Sequence, residues 1–302
     1  MPFNRRDFLS AIPVLAISGN QLSNKEIPSF NVASSSLKSS SLNLSLNAYS
    51  FNDMLMKKLI SHNELIEFCA NTGFQAIDMT GYYFSTYPLT PSNDEIYAFK
   101  RKAHQSGIAI SGTGVRNEFS WEEKFSMDKE IDLVKRWIEV AAKLGAPVLR
   151  VFTAKKYEVG EERKRIRERM LKAFQECVET AKVHGVILGI QNHNDFLRTA
   201  EECQDIIGTI NSPWLGLVVD TGNFIEEDPY EEIRKSIPMA VNWQVKEKLL
   251  IKGTQTPMNL DRLCKIIKQS SYQGYMPIET LGMQDPKKDI PLFFKAVSEA
   301  LK

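Results

Sequence analysis

The chain has 302 residues, 43% hydrophobic and 25% charged, with 38 basic residues against 37 acidic ones and a formal net charge of +1. This length suits one large α/β domain that can bury a sizeable core without disulfides or a metal needed merely to fold. The balanced charge excludes the basic footprint of a nucleic-acid binder and shows no acidic excess.

The N-terminus carries Arg5-Arg6-Asp7-Phe8-Leu9, followed by a short apolar run that ends near Ile17-Ser18. The run is shorter than the about 20 apolar residues needed to cross a bilayer, so no transmembrane segment is expected. A charged start before a short apolar stretch reads as an export signal, here with the arginine pair of a twin-arginine leader. The alternative is an ordinary basic N-terminus that contains Phe-Leu. No small-x-small cleavage site stands out. Residues 32–42 (VASSSLKSSSL) are serine-rich and read as a flexible linker. The expected division is therefore signal and linker over 1–41 and one folded domain over 42–302, exported, with a periplasmic location.

Strand-like apolar runs then alternate with amphipathic stretches. The predicted strands are 44–49, 74–79, 109–114, 147–152, 186–191, 216–220, 240–245 and 275–279. Their starts lie roughly 25 to 40 residues apart, the size of one βα unit. Between them, 63–70 places Leu65, Ile66, Cys69 and Ala70 on one helical face and stops at Gly73. Residues 131–144 repeat apolar positions at helical spacing and stop at Gly145. Thr199 and Glu202 form a capping box, and Asn259 can cap a helix through Ile267. Eight such units predict an α/β fold, a single (β/α)8 TIM barrel. An open doubly wound sheet is the rival, but no GxGxxG follows the first strand. Cys69, Cys177, Cys203 and Cys264 are widely spaced, lack a CxxC pair and fall in predicted helices, so they read as core residues.

Four predicted strands end on a polar residue: Gln191 after VILGI, Asp220 after LGLVV, Gln244 after MAVNW and Glu279 after YMPI. In a barrel these would ring the mouth where barrel chemistry sits. Side chains two apart on an extended chain share a face, so His193 should join Gln191, and Lys246 should join Gln244. Against this, His193 also reads as a hydrogen-bonded loop histidine. Lys246 also reads as a solvated lysine, because Glu247 and Lys248 continue a charged run. Arg150, flanked by apolar residues inside a strand, needs a partner if buried; it could pair with Asp78 or bind substrate anions. Tyr49, Tyr82, Tyr83, Phe152, Phe224 and Trp243 gather near the expected mouth, with Phe152 also explained by core packing.

Several stretches together resemble the xylose-isomerase-like TIM-barrel family of sugar isomerases and epimerases, which includes endonuclease-IV-like proteins. They are NTGFQAID (71–78), KLGAPVLRVF (143–152), GIQNH (189–193), GLVVD (216–220) and YQGYMPIE (272–279). The resemblance covers 42–302. It implies a divalent metal held by Glu, Asp, His and Glu at the ends of strands five to eight, positions that fall here on Gln191, Asp220, Gln244 and Glu279. Gln191 replaces the first Glu and Gln244 replaces the His. The set keeps two carboxylates, and its amide oxygens suit Mn²⁺ or Mg²⁺ better than zinc.

The implied chemistry is proton abstraction next to a carbonyl, with two carboxylates on opposite faces of the substrate carbon. Gln191 cannot exchange a proton, so Glu279 is the remaining carboxylate base. His193 is the substitute proton carrier, and Lys246 is the group for a sugar oxygen or enolate. Tyr49, Arg150, Trp243 and Asn223 are expected to contact a small-molecule carbohydrate. The expected function is a sugar isomerase or epimerase with an altered metal site. The alternatives are a carbohydrate-binding barrel without catalysis, or a related sugar lyase. A nuclease is disfavoured. Only His193 of four histidines lies at a strand end, too few for a multi-zinc cluster, and no basic surplus exists for phosphates.

Overall fold

Strand follows helix along the chain in the order β1 (Asn43–Asn47), α1 (Asn52–Met56), α2 (His62–Thr72), β2 (Ala76–Thr80), α3 (Asn93–Gln105), β3 (Ala109–Gly114), α4 (Lys124–Leu144), β4 (Val148–Val151), α5 (Gly160–His184) and β5 (Ile187–Gln191). It continues through α6 (Ala200–Ile210), β6 (Leu215–Asp220), α7 (Pro229–Ser236), β7 (Ala240–Lys246), β8 (Lys248–Ile251), β9 (Thr254–Pro257), α8 (Leu260–Lys268), β10 (Tyr275–Glu279) and α9 (Pro286–Ala300). This computed structural model describes residues 42–155, 158–193, 195–281 and 285–302. The export signal and linker expected over 1–41 lie outside the described residues.

Eight of the strands close into a parallel barrel in the order β1-β10-β7-β6-β5-β4-β3-β2. The predicted (β/α)8 barrel is therefore the observed fold. Successive strands pair in register, as in Arg150 with Gly189 and Asp220 with Gln244. One set of alternate side chains turns outward onto the helices. Leu46, Ile77, Leu149, Ile190, Val219, Trp243 and Ile278 are all fully buried there. Each such side chain contributes about 1.5–3 kcal/mol of apolar burial. The other set fills the barrel interior and rises to the mouth.

The predicted helix signals are present. Gly73 and Gly145 end α2 and α4, and the Thr199–Glu202 capping box opens α6. The Asn259 side chain accepts the Arg262 backbone N–H at 2.9 Å to open α8. All four cysteines are buried and free. No helix among the described residues is long and apolar enough to cross a membrane.

Two local features depart from the sequence reading. The first strand stops at Asn47, whose side chain caps a short 3-10 turn (Ala48–Phe51), so Tyr49 sits on that turn at the mouth. The charged run after Gln244 begins on a barrel strand, which removes the alternative of a solvated Lys246. Lys246 belongs to β7, and β8 and β9 then form an antiparallel ribbon. Its two-residue turn, Lys252-Gly253, has both φ angles positive, as a type I′ turn requires.

Candidate active site

The C-terminal ends of the strands enclose a cavity of about 560 Å³, within the size range of small-molecule sites. Gln191, Gln244, Lys246 and Glu279 form part of its floor; Tyr49, His193 and Asn223 also line it. The strand-end side chains of β5, β7 and β10 thus meet in one cavity.

Asp220 is the exception in exposure. It is completely buried and does not reach the cavity wall. Its Oδ1 accepts the Gly222 backbone N–H at 3.0 Å. Its Oδ2 accepts Gln191 Nε2 at 2.7 Å and lies 3.4 Å from Lys246 Nζ. Its backbone is fixed by a reciprocal pair with the Asn192 side chain, at 2.8 and 2.9 Å. Asp220 therefore holds the floor in place and does not face a ligand.

Lys246 is the centre of this floor. It is 7% exposed, and its ammonium forms ion pairs with Glu279 and Asp220. Thr221 Oγ1 accepts its backbone N–H at 2.9 Å. Its stem passes so close to Gly222 that a Cβ there would lie 2.8 Å from Lys246 Cγ. Burial works against the charge, but Asp220 and Glu279 outweigh it and hold the ammonium protonated well above the usual lysine range. Glu279 is shifted upward. Its burial and the neighbouring Asp220 favour the neutral acid, against Lys246 and Arg150.

The two amides complete the floor as hydrogen-bonding groups. Gln191 Nε2 donates to Asp220 Oδ2 and, at 2.6 Å, to Gln244 Oε1. The expected metal site on Gln191, Asp220, Gln244 and Glu279 needs correction on this point. Among the described residues no group of three His, Cys, Asp or Glu is placed to hold an ion. An ammonium already occupies the position between the two carboxylates. The arrangement does not fit Mn²⁺, Mg²⁺ or Zn²⁺.

The remaining predicted residues divide. His193 lines the cavity with its side chain 49% exposed, its Nδ1 3.2 Å from Asp195 Oδ2 and its ring edge-on to Phe152. Asn223 donates to the Asn192 carbonyl at 3.2 Å. Trp243 is not a substrate contact. It is 0% exposed and packs edge-on against Tyr272, because Gln244 faces inward and its strand neighbour must face outward. Phe224 is likewise fully buried, whereas Phe152, read also as core, lines the cavity.

Arg150 does reach the cavity, but it does not ion-pair with Asp78. Its Nη1 donates to the Val115 carbonyl at 2.6 Å and its Nη2 to the Tyr82 hydroxyl at 2.5 Å. Its guanidinium lies 4.2 Å from the Phe152 ring centroid. Asp78 instead accepts Asn242 Nδ2 at 2.9 Å inside the barrel. Burial pushes Asp78 up to about 6, aided by Glu279 and opposed by Arg150 and Asn242.

The sequence reading missed Arg116, Asn117 and Lys155 in the cavity wall. Arg116 was findable by the count that placed His193, since it lies two residues past the end of the third strand. Asn192, adjacent to Gln191, carried no local signal for its clamp on Asp220.

The model of the family described as xylose isomerase-like TIM barrel matches residues 66–294. No curated protein sequence gives a significant match. Among solved structures, D-psicose 3-epimerase from Clostridium cellulolyticum H10, crystallised with D-tagatose, superposes with a TM-score of 0.72 at 14% identity, covering 86% of this chain and 100% of that one. An L-ribulose 3-epimerase gives 0.69 at 16% identity, covering 86% and 98%. The IolI protein with a bound zinc atom gives 0.69 at 15% identity, also covering 86% and 98%. At these identities the likeness shows the fold.

Proposed function

The chain belongs to the xylose isomerase-like TIM barrel family, and on that premise we propose that it is a sugar isomerase or epimerase acting by proton abstraction next to a carbonyl. The single observation that supports this most is the pairing of Glu279 with the Lys246 ammonium on the cavity floor. Glu279, as carboxylate, removes the proton from the carbon beside the carbonyl. The C–H electron pair forms the C=C bond, the carbonyl π pair moves onto oxygen to give an enediolate, and Glu279 becomes the acid. The upward shift of Glu279 suits this task, since a base works best with a pKa near the working pH. The Lys246 ammonium supplies the positive charge that stabilises the enediolate oxygen. Returning the proton from Glu279 to the adjacent carbon, while the hydroxyl proton passes from its oxygen to the former carbonyl oxygen at the enediol stage, interconverts aldose and ketose. Delivery of a proton to the opposite face by His193, held against Asp195, inverts the centre.

The supporting side chains fit a carbohydrate. Tyr49 and Phe152 offer aromatic faces, and Asn223, Gln191 and Gln244 offer amides for hydroxyls. The twin-arginine pattern of the N-terminus supports an exported, periplasmic enzyme. One observation favours a second reading, a carbohydrate-binding barrel without turnover. Lys246 already neutralises Glu279, and both glutamines are engaged with each other.

Solvent isotope exchange separates the two. Incubated in D₂O with a panel of aldoses and ketoses, the wild-type protein should place deuterium at the carbon next to the carbonyl. Glu279→Gln should lower that rate by about 10²–10⁴-fold. Absence of exchange into every sugar, with sugar binding retained, would establish the binding-barrel reading instead.

A further inference from the structure

The cavity wall beside the Lys246–Glu279 floor carries a buried positive charge that Asp78 and Glu279 offset only from a distance, without an ion-pair contact. Arg150 is 5% exposed, yet its direct contacts are a carbonyl, a phenol and aromatic faces. No carboxylate among the described residues lies within ion-pairing distance of it. The barrel has made room for this side chain, since a Cβ on Gly114 would fall 2.9 Å from Arg150 Nε. Two of its five N–H groups are used, which leaves donors for the cavity. A buried guanidinium with no carboxylate in contact is costly, and one that keeps spare donors at a cavity wall is accordingly a functional signal.

A second guanidinium stands beside it. Arg116 lies 4.9 Å from the centroid of the Tyr82 ring, the same tyrosine whose hydroxyl accepts from Arg150. Arg116 is exposed, lines the cavity and has no ion pair among the described residues. Tyr82 therefore sits between two guanidinium groups, with its ring under one and its oxygen on the other. Lys155 adds a third cation to this wall, 3.7 Å from Glu118. On the floor, by contrast, Lys246 is met by two carboxylates.

The geometry points to an anion subsite built by Arg150, Arg116 and Tyr82, and hence to a carbohydrate substrate that carries a carboxylate or phosphate group. The assignment rests on the carbohydrate reading of the cavity. Guanidinium groups match both anions through paired N–H donors. Anchoring the charged end on this wall leaves the polyol part to extend over Glu279 and Lys246.

Titration calorimetry on the full-length protein tests this, using D-glucose, D-glucuronate and D-glucose 6-phosphate at low salt. At least one of the two anionic sugars should bind about tenfold or more tightly than D-glucose, and that preference should fall as salt rises. The stronger of the two arms tells carboxylate from phosphate. Arg150→Met should abolish the preference and Arg150→Lys should restore part of it. Arg116→Ala, at an exposed position that folding does not depend on, should reduce it several-fold. Equal binding of all three sugars, no binding of either anion at millimolar concentration, or full preference in Arg116→Ala would overturn the subsite. Deuterium exchange keeps this separate from the enolisation proposal. Exchange into neutral sugars without anion preference removes the subsite alone, and anion-selective binding without exchange removes enolisation alone.

Discussion

Replacing Lys246 with methionine separates an ammonium-centred floor from a metal-centred one. Methionine keeps the unbranched stem that threads past Gly222 and removes only the charge. The ammonium lies 3.4 Å from Asp220 Oδ2 and closer still to Glu279 Oε1. At an effective dielectric near 20, one such contact is worth about 5 kcal/mol of Coulomb energy before desolvation. Removing one member of a buried ion pair costs about 3–5 kcal/mol, because the partners remain buried. For a barrel of this size that corresponds to a fall in Tm of roughly 10 °C.

The cost should depend on pH. Glu279 is already shifted upward, and losing the cation raises it further. Protonation relieves the repulsion, so the loss of stability should be largest near pH 8 and smaller near pH 5. The variant should also gain what the wild type lacks, a cation vacancy between two carboxylates. Mn²⁺ at about 100 times its Kd would restore about 2.7 kcal/mol. Thermal unfolding of both proteins with Mn²⁺ and with EDTA checks this, supported by metal analysis of the purified proteins. The wild type should be indifferent to both additions and the variant should respond to Mn²⁺. A wild type that carries one equivalent of metal and loses stability in EDTA refutes the reasoning.

Two further perturbations probe the barrel beneath and beside this floor. Asp78 titrates near 6 in the folded protein against an ordinary 3.8, a difference worth about 3 kcal/mol. Because the folded value is raised, its stabilising effect is complete below about pH 4 and is lost as pH climbs through 6. Asp78→Asn, which can still accept from Asn242, should therefore unfold at a higher temperature than wild type at pH 8 and show no gain at pH 4; a pH-independent difference would exclude this. Gly222→Ala places a methyl 2.8 Å from Lys246 Cγ and 3.1 Å from the Lys248 carbonyl. It should cost about 1–3 kcal/mol and pull Lys246 off Glu279, lowering deuterium exchange by about tenfold or more while the circular dichroism spectrum stays native.

What the sequence revealed follows from which signals are local. Apolar runs closed by a polar residue gave the barrel strands, and counting by two placed His193 and Lys246 in the same cavity as Gln191 and Gln244. The same count argues against Trp243, which neighbours an inward residue and so faces the helices. The alternative of a solvated Lys246 rested on Glu247 and Lys248, yet only Lys246 belongs to a barrel strand at that point. The partnership of Asp78 with Asn242 spans 164 residues and exists only because the barrel brings β2 and β7 to a shared interior. The charge imbalance of the wall was invisible for the same reason. Arg116 and Arg150 meet through Tyr82, which follows a different strand.

The two glutamines that weaken a standard metal site become intelligible once Lys246 is seen between the carboxylates. Gln191 Nε2 lies 2.7 Å from Asp220 Oδ2. A glutamate at this position would bring a second carboxylate against Asp220, and two such groups cannot both ionise without a strong cation between them. The nearest ammonium is already shared by Asp220 and Glu279, so a third carboxylate would be uncompensated. An amide turns the same contact into a hydrogen bond and leaves Asp220 to hold Lys246. Gln244 then serves as the acceptor for Gln191 at 2.6 Å, which a protonated imidazole could not do. Gln191, Gln244 and Lys246 are thus mutually consistent: the ammonium supplies the charge, and the amides close the ring without adding any. The enolisation that this floor would support is correspondingly asymmetric, with one carboxylate at Glu279 and any second proton carrier outside the ring, at His193.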